Sequence, residues 1–352
     1  VAIPMVDVHT IGAGGGSIAR VDAGGLLQVG PQSAGADPGP ACYGRGGREA
    51  TVTDANLVLG RLAPGGLAGG AMPLDAAAAD GAVAGVARAL GVDTAAAAAG
   101  IVRLANEHMA QALRVISIQR GIDPRGFTLL SFGGAGGLHV CALAAALEMR
   151  RAMVPVHAGV LSALGMLAAP RNRHLSLTLG APLDGLPSAD IEAAFGSLEA
   201  RGRAELAAEG GDPAILAVAR SVDLRYLGQA YSLNLPWRDK SAAGAAFHAA
   251  HERRYGHRLT RAVECVNVRV SVQAPTPDLP LPPAPRGAFA AAHAGEARLH
   301  GIGGAPVYRR ERLPAGAAVA GPALISEALT TTYLEPGWQC RVDDYGNLRL
   351  ER

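Results

Sequence analysis

Aromatic side chains are scarce in this sequence of 352 residues, at 4%. That scarcity removes most of the stacking surface on which single-stranded nucleic acid is held. Charge of one sign is missing too: 32 Lys+Arg against 30 Asp+Glu leave a formal net charge of +2, which gives no broad field for a polyanion. No nucleic-acid partner is expected. The cysteines, Cys42, Cys141, Cys265 and Cys340, are few and widely spaced, with no CxxC pair and no disulfide framework; reduced thiols are the plainer expectation. There is neither a basic start followed by an apolar signal core nor an apolar run long enough to span a bilayer. The sequence therefore predicts a cytoplasmic protein with no membrane partner, whose start without Met fits a processed end or a fragment. Bulky apolar residues are diluted as well, because alanine and glycine dominate the 49% hydrophobic fraction. The length still suffices for roughly two domains with sizeable cores.

What is present gathers first in Met5–Ser17, MVDVHTIGAGGGS. β-branched residues favour a strand there, and on a strand Asp7 and His9 share one face. Gly12, Gly14, Gly15 and Gly16, around Ala13 and followed by Ser17, permit unusual backbone angles and close approach by a ligand. Consecutive amides in such a turn can surround phosphate oxygens. Ile18–Asp22 reads as a return strand, which would make the glycines a hairpin tip. Leu26–Val29 adds a third short strand.

Gly30–Gly47 is rich in proline and glycine, so it is either a rigid site loop around Asp37, Cys42 and Tyr43 or a surface crossover. Thr53 or Asp54 can cap a short helix over 55–59, or Asp54 can hold a cation. Helices are predicted from Asp75 onward and over Thr94–Arg120, where Ile101, Leu104, Ala105, Met109, Ala112, Leu113 and Ile116 form an apolar side. Asn106, Glu107, His108 and Arg114 read as a solvated face. Phe127–Phe132 reads as a buried strand running into Gly133, Gly134, Ala135, Gly136 and Gly137, then a helix over Leu138–Leu147. Strand, tight turn and helix suit nucleotide binding, although the stretch is neither GxGxxG nor GxxxxGK[ST]. His139, at the start of that helix, is either a packing histidine or a ligand contact.

Beyond Pro170 the pattern alternates: helix over Asp190–Glu209, strand over Ile215–Tyr226, strand over Tyr231–Leu235, helix over Ala242–Tyr255 and strand over Val263–Val272. Short β-like pieces follow near Ala305–Arg309, Ala318–Leu324, Thr330–Leu334, Cys340–Val342 and Leu348–Leu350. His248, His251 and His257 lack zinc-site spacing. The fold expected is α/β, divided into an N-terminal lobe at 1–170, an α+β substrate or subunit-contact region at 171–274, a Pro/Ala-rich linker at 275–304 and a β-rich terminal module at 305–352.

Several stretches together resemble the hydantoinase A and 5-oxoprolinase family: VDVHTIGAGGGSIARVD (Val6–Asp22), GPQSAGADPGPACYGRGG (Gly30–Gly47), TVTDANLVLGRL (Thr51–Leu62), SFGGAGGLH (Ser131–His139), HAGVLSALGM (His157–Met166), RYLGQAY (Arg225–Tyr231) and GPALISEALTTTYLEPGW (Gly321–Trp338). The resemblance covers virtually the whole chain. It implies a partial actin-like (ribonuclease H-like) ATPase lobe, with Gly12–Ser17 as the second phosphate loop and Gly133–Gly137 as the loop near adenosine. It implies ATP with Mg2+ (or Mn2+ or Zn2+), Asp7 and His9 as catalytic residues, and Asp7, His9, Asp37 and Asp54 as the residues toward the metal. It implies ATP-dependent opening of a cyclic amide by phosphorylation of the amide oxygen. A DIGGTFTD-type first phosphate loop does not occur in the sequence, so the expected partners are a lobe bearing one, and a hydantoinase B-type subunit or fused equivalent. The alternatives are an acetone/acetophenone-type carboxylase subunit using the same activation, or a noncatalytic assembly or nucleotide-sensing subunit.

Overall fold

A computed structural model of the chain describes residues 8–62, 66–67, 70–287, 289 and 293–352. They divide into two compact units: Met166–Leu279, and the described residues up to Gly165 together with Pro280–Arg352. The architecture is α/β with mixed sheets.

Strands β1 (Ser17–Val21) and β2 (Leu27–Ser33) pair antiparallel. Their turn is the segment 22–26, not the glycine stretch at 12–16 that the sequence suggested. Asp22 Oδ1 accepts the amides of Gly24 (2.9 Å) and Leu26 (3.0 Å), and Gly25 takes φ +79°; a short carboxylate that hydrogen-bonds its own backbone out-competes glycine alone as a turn former. Val8–Ile11 form no strand among the described residues, because β propensity favours extended backbone while only a paired neighbour makes a strand. Asp7 lies outside the described residues.

Helices α1 (Val52–Val58), α2 (Ala76–Leu90) and α3 (Thr94–Ile116) pack on this hairpin through Ala19, Val29, Val52, Ala55, Val83 and Ile101. Asp75 and Asp93 cap α2 and α3, accepting the amides of Ala78 (2.9 Å) and Ala96 (2.7 Å). The third helix stops at Ile116, short of the expected Arg120: the Ser117 hydroxyl donates to the Leu113 carbonyl at 2.6 Å and its backbone leaves the helical region.

Next come β3 (Leu129–Leu130), α4 (Val140–Ala146), β4 (Arg151–Val154) and α5 (Leu161–Ala168), with β3 and β4 parallel. The first of these strands is shorter and less buried than expected. It forms one edge of its sheet, and Phe127, Leu130 and Phe132 are exposed.

The unit Met166–Leu279 consists of β5 (Asn172–Pro182), α6 (Ser188–Ala208), β6 (Ala217–Tyr226), β7 (Leu233–Pro236), α7 (Lys240–Tyr255) and β8 (Val263–Gln273). Its antiparallel sheet runs β5-β8-β6-β7 over a core that includes Ile191, Phe195, Leu206, Leu224, Phe247 and Val268. Gly202 brings α6 down onto the sheet, since a Cβ there would lie 2.6 Å from Val272 Cγ2. Arg225 pairs with Glu264 at 2.7 Å, Tyr226 is buried with its hydroxyl 2.8 Å from His248 Nδ1, and Gln229 meets His251 at 3.0 Å. His251 Nδ1 lies 2.9 Å from the His257 carbonyl. Tyr226, Gln229 and the three histidines are thus engaged in local hydrogen bonds, His257 through its carbonyl, and Arg225 in an ion pair.

The chain continues with β9 (His293–Leu299), β10 (Gly303–Arg309), β11 (Ala318–Ala320), β12 (Ala323–Ser326), β13 (Thr331–Leu334), β14 (Gln339–Val342) and β15 (Leu348–Glu351). One sheet is β13-β12-β10-β9; the other is β11-β14-β15-β4-β3. Here β15 pairs antiparallel with β4, Leu348 opposite Val154. Leu147, Val154, Ile325, Trp338, Leu348 and Leu350 belong to the core at this sheet.

Candidate functional site

The first glycine stretch lies against the end of β2 and the start of α1. A Cβ on Gly12 would lie 2.8 Å from Pro31 Cβ, one on Gly16 2.8 Å from Ser33 Oγ, and one on Gly15 2.8 Å from Thr53 Oγ1. None of Gly12, Gly14, Gly15 and Gly16 has positive φ, so at Gly12, Gly15 and Gly16 space rather than backbone angle demands glycine. Gly15 O accepts from the Thr53 amide (2.8 Å) and hydroxyl (2.9 Å). Ser17 Oγ receives the Gly14 amide at 2.9 Å and donates to Gly12 O at 3.3 Å. Its hydroxyl therefore holds the loop's shape.

The second stretch follows β3. Gly133 takes φ +90°, and its amide donates to Ala158 O at 2.8 Å. Its carbonyl and that of Gly134 both accept from Thr330 Oγ1 at 3.1 Å. A Cβ on Gly137 would lie 2.7 Å from Thr331 O, and one on Gly136 2.7 Å from Ser131 Oγ. Thr330–Thr332 are thus the seat of this loop, a role that local sequence pattern does not signal.

The fold brings the two loops together: a Cβ on Gly15 would stand 3.6 Å from Ala135 Cβ. Among the described residues, the amides of Gly15, Gly16, Gly134 and Ala135 have no acceptor. Around Gly14 and Gly133 an added Cβ would meet nothing within 4 Å. Unpaired amides beside open space fit an anionic oxygen acceptor such as phosphate.

The acidic candidates do not converge. Asp37 is exposed on its loop. Asp54 is fully buried, and its carboxylate accepts from the amides of Thr51 (2.9 Å), Cys42 (2.8 Å) and Ala41 (3.3 Å) and from the Thr51 hydroxyl (2.7 Å). Thr51, rather than Thr53, caps α1, and Asp54 answers from the third helical position in a capping box. The same carboxylate ties down the Gly30–Gly47 loop at Cys42, whose thiol pKa is pushed upward by burial and the Asp54 charge. With both oxygens occupied, Asp54 is a structural staple. No cluster of three or more His, Cys, Asp or Glu suited to a metal exists among the described residues, so the described residues do not by themselves assemble a metal centre.

Beside the second loop lies a cleft of about 280 Å³ whose walls include Met109, Leu113, Leu129 and Ser131, with His9 and His139 also lining it. His139 is 2% exposed. Its Nδ1 is 2.7 Å from Asn106 Oδ1, while its Nε2 has no partner among the described residues. Burial, with the Arg61 charge second, pulls its pKa down to about 4, so at neutral pH the ring is neutral. A proton on Nδ1, donated to Asn106, leaves a lone pair on Nε2. Asn106, expected on a solvated face, sits instead on the helical stripe of Val102, Ala105, Met109 and Leu113, and that spacing is the signal for it.

Residues 1–174 match the family described as Hydantoinase/oxoprolinase, and residues 187–352 match the Hydantoinase/oxoprolinase C-terminal domain. The chain belongs to the hydantoinase/oxoprolinase family. Among the family's proteins, the caprolactamase subunit alpha of Pseudomonas jessenii is 38% identical over 99% of this chain and 53% of its own length. The crystal structure of the ATP-dependent caprolactamase from that organism superposes with a TM-score of 0.73 at 36% identity, over 100% of this chain and 54% of that one. Nucleotide-free acetone carboxylase superposes with a TM-score of 0.81 at 26% identity, over 96% of this chain and 52% of that one. The chain thus spans about half the length of these matched proteins.

Proposed function

We propose that this chain is the ATP-handling part of an ATP-dependent cyclic-amide hydrolase of the hydantoinase/5-oxoprolinase type, with an actin-like lobe around its two glycine loops. The observation that carries this reading is the meeting of those loops, with Gly15 against Ala135 and four amides that have no acceptor among the described residues. In it, the amides of Gly15 and Gly16 and of Gly134 and Ala135 hold phosphate oxygens, and Ser17 and Thr330 keep the two loops in shape. ATP supplies the phosphoryl group that converts the amide oxygen into a leaving group. Asp7 and His9 are the residues proposed toward Mg2+ and the reacting groups; Asp54, already saturated, serves the scaffold. A segment bearing a DIGGTFTD-type phosphate loop and a hydantoinase B-type subunit complete the enzyme. The likeness to caprolactamase favours a cyclic-amide substrate.

The higher TM-score to acetone carboxylase supports a second reading, ketone carboxylation with the same ATP use. One experiment separates them: ADP release by the assembled complex, measured with a five- to seven-membered cyclic amide and, separately, with ketone plus bicarbonate. The proposal expects stimulation by the cyclic amide alone. Stimulation by ketone plus bicarbonate alone would replace it with the second reading, and no stimulation by either would sink both.

A further inference from the structure

We propose that a cleft beside the turn Glu327–Thr330 seats the purine base of the nucleotide, whose 6-amino group donates to Glu327 Oε2. This rests on the ATP-handling reading above and adds the base subsite and the residue that selects adenine.

Glu327 follows β12 and lines a cleft of about 360 Å³ with His157, Pro282, Pro285, Leu329 and Tyr345. Its Oε1 accepts from Arg310 Nη1 at 2.7 Å. Arg310 also donates to the carbonyls of Val154 and Gly346, so it serves the fold. Glu327 Oε2 receives no donor among the described residues. Unlike the occluded Asn56 Oδ1 and His139 Nε2, it is not closed off from solvent, and the side chain is 16% exposed. Burial raises the Glu327 pKa while Arg310 pulls it back, so each further N–H brought to the carboxylate stabilises its charge. An accessible carboxylate oxygen takes a donor and rejects a carbonyl. That selects the amino group of adenine against the oxo group of guanine or hypoxanthine.

One short turn joins this cleft to the anion cradle. The Glu327 amide donates to Thr330 O at 3.0 Å, and Thr330 Oγ1 donates to the carbonyls of Gly133 and Gly134 at 3.1 Å. The Gly133 amide in turn donates to Ala158 O, one residue past His157. A Cβ on Gly159 would lie 2.6 Å from Leu329 Cβ. A nucleotide whose phosphates meet the amides of Gly134 and Ala135 therefore has this cleft as a neighbouring cavity for its base. Phosphate itself is repelled from it, because Glu311 and Glu327 both line it. The cleft beside Gly136 has no carboxylate on its lining. At about 360 Å³ the volume is at the low end of the roughly 300–1,000 Å³ of small-molecule and cofactor pockets. Pro282, Pro285 and Leu329 give the base apolar surface, and Tyr345 gives it an aromatic ring for stacking.

The test measures binding of ADP and IDP to the assembled enzyme by isothermal titration calorimetry. Hypoxanthine carries an oxo group, with a proton on N1, where adenine carries the 6-amino group. The wild-type complex should therefore bind ADP at least about tenfold tighter than IDP, the worth of one buried hydrogen bond. Equal affinities would overturn the seat without any variant. Glu327→Gln keeps an oxygen for Arg310 and presents an amide N–H to the cleft. Its preference for ADP should fall at least about tenfold, to parity or in favour of IDP. Misfolding cannot mimic that change, because it weakens both nucleotides alike. A preference that survives Glu327→Gln, including equal weakening of both nucleotides, would overturn the seat. ADP release stimulated by the lactam 2-piperidinone is measured on the same complex. If the preference shifts as expected but the lactam stimulates nothing, the cyclic-amide reading fails and the base seat stands. Lactam-stimulated release with an ADP/IDP ratio untouched by Glu327→Gln sinks the seat alone, and a complex that binds neither nucleotide sinks both.

Discussion

The two compact units treat buried polarity in opposite ways. In Met166–Leu279, Asp223 accepts from Asn234 (2.9 Å), Asn267 (2.8 Å) and Arg269 (2.6 Å), Glu264 pairs with Arg225, and His251 is bonded at both ring nitrogens. In the other unit, the side-chain atoms Asn56 Oδ1, His139 Nε2, Thr332 Oγ1 and Trp338 Nε1 are buried without partners among the described residues. The same unit holds the glycine-loop amides that have no acceptor among the described residues. A polar group that already has its partners fixes structure, while one left open marks where something else can bind. Asp54 shows that the distinction is made residue by residue, for it is a fully satisfied staple inside the open unit.

The largest expected effect comes from breaking that staple. Asp54→Ala leaves the amides of Ala41, Cys42 and Thr51 without their acceptor, and should cost about 4 kcal/mol of stability in chemical denaturation. A loss below about 1 kcal/mol would mean that the carboxylate is dispensable to the fold. Next is a pH effect at the open histidine. Its folded pKa of about 4 lies below the ordinary 6.5, so the unfolded chain binds the proton first as pH falls. Stability should therefore be unaffected above pH 6.5 and decline toward pH 4 by about 3 kcal/mol; His139→Gln should remove that slope, and an unchanged slope would assign it elsewhere.

Slightly smaller is the expected effect of Gly15→Val, which drives a side chain into Thr53 Oγ1 and toward Ala135. Lactam-dependent ADP release should fall about 10²-fold, the penalty for displacing an aligned site by about an ångström, with little change in the melting of Met166–Leu279. Smallest is Asp223→Ala in the satisfied unit, which should lower stability by about 2 kcal/mol and leave the KM values for ATP and lactam unchanged. A shift in either KM would show that the closed unit reaches the chemistry after all.

Local patterns carried much of this molecule. Helical spacing placed α3 and α6, alternation placed β6 and β8, and the two glycine stretches stood out by composition. A conflict between local preferences decided the misses. Asp22 made the hairpin turn that the glycines were expected to make, and Ser117 ended α3 before Arg120 was reached. Long-range partners were harder to see. Nothing in the residues around Gly133 names Thr330 as their support, and Asn106 meets His139 only because α3 packs beside the glycine turn. Such pairings are chosen by packing, which a linear pattern does not contain. The loops' mutual approach, Gly15 to Ala135, belongs to the same class.

The antiparallel pairing of β15 with β4 has a consequence for synthesis. Val156 waits for Asn347, 191 residues later, to receive its amide at 2.8 Å, which at about 5–20 residues per second is roughly ten to forty seconds on the ribosome. During that interval β5 to β8, contiguous in sequence, can complete their own sheet, while the strand that follows the second glycine loop keeps an open edge. Production of this protein is therefore most exposed to aggregation mid-translation, and a chaperone that shields strand edges should raise its yield more than one that assists the finished chain.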